Sequence, residues 1–198
     1  MARALARRLG LVYVNTGAMY RAVTWLAVRN GVDTRQPDAV AAVLGSAKME
    51  FGVSGHESTI RIDGEDPAPR LSDPEVNANV SLVAAVPAVR EELVARQRDY
   101  ALEHDLVMEG RDIGSVVFPG TPYKFYIDAS PEVRAQRRAA QGFMDDLAAR
   151  DKIDSSRATS PLTIAEGARI IDSSHLTVEG VVDEIVRLLN LQGFGAGR

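Results

Sequence analysis

A chain of 198 residues with 45% apolar content suits one compact domain with a sizeable core and room for a small insert, and its formal net charge of −4 excludes the basic excess of a nucleic-acid binder. The absence of cysteine excludes a disulfide framework, thiolate chemistry and a Cys-based zinc site, and the three histidines, His56, His104 and His175, are isolated without metal-ligand spacing. No apolar run approaches membrane-spanning length, and residues 1–8 alternate arginine with apolar residues as an amphipathic helix does, not as a signal peptide does, so a cytoplasmic protein with no membrane association is expected.

After that opening helix, Leu11–Val14 reads as a buried strand, followed by helical patterns over Ala18–Asn30 and Pro37–Ser46. Met49–Val53 and Thr59–Ile62 read as an antiparallel hairpin, with Asp63-Gly64 as a following turn. Pro87–Glu103 is helical, and Leu106–Met108 and Lys124–Ile127 are strands. Pro131–Gln141 is helical, Arg169–Ile171 is the last strand, and Thr177–Leu191 is the last helix. Strand–helix alternation predicts an α/β fold, with a parallel sheet, helices on both faces and right-handed crossovers. The α/β core is expected over 1–47 and 80–192, the hairpin insert over 48–79, and a flexible Gly-rich tail over 193–198.

A strand-first α/β domain opens with a strand, a Gly-rich turn and a helix, yet residues 1–10 already read as that helix. The chain holds no G-x-x-x-x-G-K-[ST] phosphate loop, and Gly193, Gly195 and Gly197 have no helix after them to make one. What it does hold is arginine in three loops. Thr16-Gly17-Ala18-Met19-Tyr20-Arg21 follows the first strand, and Glu109-Gly110-Arg111-Asp112-Ile113-Gly114 follows the second. Arg150 to Arg157 lies ahead of the last strand. Ligands of open α/β sheets bind outside the carboxyl ends of the strands, and the planar fork of arginine suits phosphate or carboxylate. Taken singly, each arginine reads first as a solvated side chain, while Gly110 could be only a turn residue and Asp154 with Arg157 only a helix-surface pair. Spacing alone therefore reaches no further than an anion-binding α/β protein.

Longer phrases carry a resemblance. They are Asn15-Thr16-Gly17-Ala18-Met19-Tyr20-Arg21-Ala22, Ile62-Asp63-Gly64-Glu65-Asp66, Glu75-Val76, residues 81–90, Arg96-Gln97-Arg98, residues 109–119 and residues 150–162. On these, from about Leu5 to Leu189, the chain resembles bacterial cytidylate kinases. The resemblance implies a P-loop-kinase-like fold with the hairpin as its nucleoside-monophosphate-binding insert. It implies transfer of the γ-phosphoryl group of ATP to CMP or dCMP, with Mg²⁺ carried on ATP, by a monomer of pyrimidine metabolism.

It also implies roles. Arg21, Arg111 and Arg157 would hold the acceptor phosphate, and Ser81, Arg90 and Asp112 would read the cytosine. Arg150 and Asp154 would contact the sugar, and Thr16, Gly17 and Tyr20 would complete the substrate site. Arg137 and Arg138 would join Arg111 at the transferring group. The metal would have no dedicated protein site. Two departures stand out: the phosphate loop that should lead into Ala2, and a lid over about 139–149 that is short for the family. Three readings follow. The first is an active kinase whose strand and phosphate loop lie upstream of Met1, with Met1 at a position where the family often carries Val. The others are a non-catalytic CMP-binding remnant and a structural partner domain.

Overall fold

The computed structural model describes residues 1–140 and 163–195. Helix α1 (Ala2–Leu9) stops at Gly10, whose φ of 68° is left-handed and lets the Leu11 amide turn back to the Ala6 carbonyl at 2.9 Å. Strand β1 (Val12–Asn15) runs directly into α2 (Thr16–Arg29). The Asn15 side chain caps α2 by accepting from the Ala18 amide at 3.0 Å, which explains a strand-to-helix junction without a loop. Helix α3 (Pro37–Ser46) begins at a proline, whose preset φ and missing N–H cost nothing in a first turn.

Strands β2 (Met49–Ser54) and β3 (Glu57–Ile62) form the expected hairpin, registered from Met49 opposite Ile62 to Ser54 opposite Glu57. Asp63 and Gly64 both take positive φ, 51° and 80°, and close a second tight turn from Ile62 to Glu65. Helix α4 (Pro74–Val83) was not anticipated from the sequence. Its apolar residues Val76, Val80 and Val83 are buried, but Asn77, Asn79 and Ser81 lie between them and obscure the stripe. Its packing against α2 supplies what the pattern lacks.

Helix α5 (Pro87–Glu103) leads to β4 (Leu106–Glu109), then a π-helical turn over Ile113–Val117 and β5 (Phe125–Asp128). Helix α6 (Pro131–Ala140), β6 (Arg169–Asp172) and α7 (Val178–Leu191) complete the described elements. None of these helices is long and apolar enough to cross a membrane.

One sheet has the order β2-β3-β1-β4, and a second pairs β5 with β6. The pairs β1–β3, β1–β4 and β5–β6 are parallel, and only the hairpin is antiparallel. Side-chain alternation shows helices on both faces. Leu106 and Met108 of β4 join a core with α2, α3, α4 and α5, whereas Val107 between them joins a core with α1 and α7. Phe125 and Ile127 of β5 and Ile171 of β6 belong to that second core, so it ties the two sheets together. Among the described residues β4 pairs only with β1, and β5 only with β6, so each carries an unpaired edge.

Candidate functional site

The parallel register of β1 and β4 sets Asn15 opposite Glu109, so the loops that leave their carboxyl ends emerge side by side. Thr16 sits at the start of α2, nearly fully buried, and its hydroxyl donates to the Glu109 carbonyl at 2.8 Å. The next residue, Gly110, presses against that bond. A Cβ there would lie 2.3 Å from Thr16 Oγ1 and 2.8 Å from Ile113 Cδ1, so glycine is required for the close approach of the two loops. A Cβ on Gly17 would come within 3.3 Å of Asn15 Oδ1, the acceptor that caps α2. Glu109 is oriented by the Tyr13 hydroxyl, which donates to it. Burial, and after it the bond to Glu109, pushes the Tyr13 hydroxyl well above its ordinary pKa, so it stays protonated as a donor. The Arg3 guanidinium covers the Tyr13 ring at 5.1 Å, tying the first turn of α1 to the same place.

Arg111 and Asp112 follow Gly110, and Asp112 is the cap of the π-helical turn. Its carboxylate pairs with the Arg90 guanidinium of α5, and both residues are about 95% buried. Arg90 also donates to the Ala84 carbonyl at 3.2 Å and lies 5.6 Å from the centroid of the Tyr20 ring. Tyr20 belongs to α2, Ala84 to the end of α4, Arg90 to α5 and Asp112 to the loop after β4. The fold therefore brings four separate elements to one buried ion pair. Such a pair is held only where geometry and further hydrogen bonds offset desolvation, and stranding either partner is expensive. Ser81, one turn before Ala84 on α4, is buried as well.

Arg21, on the same helix as Tyr20, donates to the Leu71 carbonyl at 3.1 Å and to the Asn77 side chain. It is thereby tied to the segment that follows the hairpin. Arg137 on α6 donates to Ser173 Oγ at 2.9 Å, to the Ser173 carbonyl at 2.7 Å and to the Leu176 carbonyl at 3.4 Å, which fastens α6 to the loop after β6. The side chain of Arg138, and Arg150, Asp154, Arg157 and the greater part of the expected lid, lie outside the described residues. The structure thus gathers Tyr20, Arg90 and Asp112 around one contact and joins Thr16 to the loop that carries Arg111.

Two residues in this neighbourhood were not singled out from the sequence. Asn77 holds Arg21, and Arg98 holds the carbonyls of Val116 and Val117 at 2.9 and 3.0 Å. Arg98 lay within the phrase Arg96-Gln97-Arg98, which was the one available signal. For Asn77 no signal existed, since its partner is 56 residues away in sequence.

Comparison with known proteins identifies the family. The cytidylate kinase family model matches residues 1–191. The cytidylate kinase of Streptomyces avermitilis is 42% identical over 94% of this chain and 85% of its own length. That of Nocardia farcinica is 43% identical over 97% of this chain and 88% of its own. That of Pelotomaculum thermopropionicum is 44% identical over 94% of this chain and 88% of its own. A family match over residues 1–191, with relatives more than 40% identical along nearly the whole chain, places the protein in the cytidylate kinase family of nucleoside-monophosphate kinases.

Proposed function

We propose that this chain provides the acceptor side of a reaction that moves the γ-phosphoryl group of ATP to CMP or dCMP, giving CDP or dCDP and ADP. The observation that carries this reading is the buried Arg90–Asp112 pair beside Tyr20. Cytosine presents an amino donor at position 4 and acceptors at N3 and O2. A carboxylate accepts from the amino group, an arginine donates to the two acceptors, and Ser81 adds a hydroxyl. Uracil reverses the polarity at the first two places, so the same buried groups would face it unpaired. Arg150 and Asp154 are assigned to the sugar, and Thr16, Gly17 and Tyr20 to the substrate floor.

Arg21, Arg111 and Arg157 form the proposed phosphate clamp. Alanine at any one of the three is expected to weaken CMP by roughly 1.5–3 kcal/mol while leaving cytidine nearly unchanged, because only the nucleotide has the charge-assisted contact to lose. Titration of the variants with both ligands checks this, and equal affinities of CMP and cytidine for the unaltered chain would remove the clamp.

The acceptor phosphate is anionic at neutral pH, so its oxygen attacks without a general base, and the protein's task is positioning and charge neutralisation. Arg137 and Arg138 on α6 are proposed to reach the transferring group as the lid closes, alongside Arg111. For Arg137 this means exchanging its bonds to Ser173 and the Leu176 carbonyl for phosphoryl oxygens, a trade of one acceptor set for another. Among the described residues no three acidic or histidine side chains gather into a metal cluster. Mg²⁺ is proposed to be held on nucleotide phosphates and water, where it would offset phosphate charge. Both nucleotides are cytoplasmic, which is the location proposed for the protein.

The donor site is proposed at the amino end of α1, whose Arg3 lies over the Tyr13 ring. A strand and a G-x-x-x-x-G-K-S loop placed ahead of Ala2 should support ATP-dependent CDP formation, followed by coupled ADP release. The activity should vanish when the lysine of that loop is changed to alanine. Selective binding of CMP over UMP by the 198-residue chain, with no turnover from the extended chain, would leave a CMP-binding protein instead.

A further inference from the structure

Helix α5 touches the turn after β4 twice. Arg90 engages the carboxylate of Asp112, the residue that caps the turn, and Arg98 engages the Val116 and Val117 carbonyls at its far end. The two arginines are eight positions apart, about 12 Å along a rigid helix. The turn is a π-helical one, a form that rarely lasts more than one turn and recurs at functional sites. The Val116 and Val117 amides both return to the Asp112 carbonyl, at 2.8 and 3.3 Å, and the Phe118 amide to the Ile113 carbonyl at 2.7 Å.

A five-residue turn has no following turn to satisfy its last carbonyls. Arg98 satisfies two consecutive ones with two arms of one planar fork, Nε at 3.0 Å and Nη2 at 2.9 Å, and places positive charge at the negative end of the turn. Because the Val116 and Val117 amides are both anchored on Asp112, the far end of the turn and the Asp112 backbone move as a unit. Fixing one fixes the other.

We infer that Arg98 is a positioning residue of the base-reading site, holding the turn over Ile113–Val117 so that Asp112 stays in register with Arg90. The inference rests on the reading of Arg90 and Asp112 as the groups that face cytosine. Arg98 touches no reacting atom; it acts through the turn. Without it the Val116 and Val117 carbonyls can turn to water, the loss to overall stability is small, and the Asp112 carboxylate gains freedom relative to Arg90. The property that suffers is discrimination between cytosine and uracil.

The test is titration calorimetry of the 198-residue chain and its Arg98→Met, Arg98→Gln and Arg98→Lys variants with CMP and with UMP, beside thermal melts. Arg98→Met is expected to weaken CMP about tenfold and UMP less than about threefold, so the CMP-to-UMP ratio falls. Lysine, a point donor that reaches one carbonyl at a time, should recover part of the ratio. Equal losses for both nucleotides, or an unchanged ratio in a folded Arg98→Met variant, overturn the inference. If that variant does not fold, the glutamine and lysine variants decide by the same ratio, and an unchanged ratio in both overturns it. A wild-type chain that binds CMP and UMP equally sinks the base-reading assignment itself and this inference with it. Discrimination in wild type, lost in Asp112→Ala but intact in the Arg98 variants, removes Arg98 alone.

Discussion

Asp112→Ala is expected to lower CMP affinity by two orders of magnitude or more while changing UMP affinity little, and to reduce stability by about 3–5 kcal/mol. Both effects come from the burial of its partner. Arg90 is 4% exposed, and without Asp112 its guanidinium keeps the Ala84 carbonyl at 3.2 Å and the face of Tyr20, neither of which carries a full negative charge. Removing one member of a buried pair leaves the other charged in a medium that solvates it poorly, so the cost exceeds the net value of the pair itself. Such a loss is a large share of the roughly 5–15 kcal/mol that holds an ordinary domain together. Asp112→Asn separates the two effects. The amide keeps the shape and an acceptor oxygen but not the charge, so stability should suffer less while preference for cytosine still drops. Denaturant melts give the first quantity and calorimetry with CMP and UMP the second. Equal weakening of both nucleotides would make Asp112 a structural partner of Arg90 and no reader of the base.

The second large effect is expected at Gly110. Alanine there drives a methyl group to 2.3 Å from Thr16 Oγ1 and 2.8 Å from Ile113 Cδ1, well inside contact distance. The Thr16 hydroxyl is not free to swing away, because it donates to the Glu109 carbonyl and is buried at the β1–α2 junction. Relief must come from the backbone of residues 109–112, which carries Arg111 and Asp112 together. Overpacking of this kind costs about 1–3 kcal/mol. It should also weaken CMP and UMP alike, since the phosphate contact and the base contact shift at once, which distinguishes it from Asp112→Ala. Gly120→Ala is the control. A Cβ at Gly120 meets nothing within 4 Å, and its effect should stay within about 0.5 kcal/mol. Restoring space with Thr16→Ala in the Gly110→Ala background should return part of the stability. Full stability in Gly110→Ala alone would show that the two loops are not held together as tightly as Thr16 and Glu109 indicate.

What the chain alone determined is local. Prolines at the first turns of α3 and α5 marked their starts, and both helices span the residues expected, Pro37–Ser46 and Pro87–Glu103. Alternation marked the hairpin, and Asp63-Gly64 marked a turn needing two positive φ angles. The long phrases around Thr16, Gly110 and Arg90 were enough to identify the family. Each of these signals is written in consecutive residues, so no partner is needed to read it.

Tertiary structure alone decided the pairings. Helix α4 has no clean apolar stripe, and the turn over Ile113–Val117 has no side-chain period; both depend on α2 or α5 packing against them. That Arg90 meets Asp112 across 22 residues, that Arg21 is held by Asn77 across 56, and that Arg98 closes the turn follow from strand register and helix placement. Composition and spacing could name these side chains as polar and well placed. They could not say which would be buried against which, because burial and pairing belong to the packed core that β1, β4, α2, α4 and α5 make only when assembled.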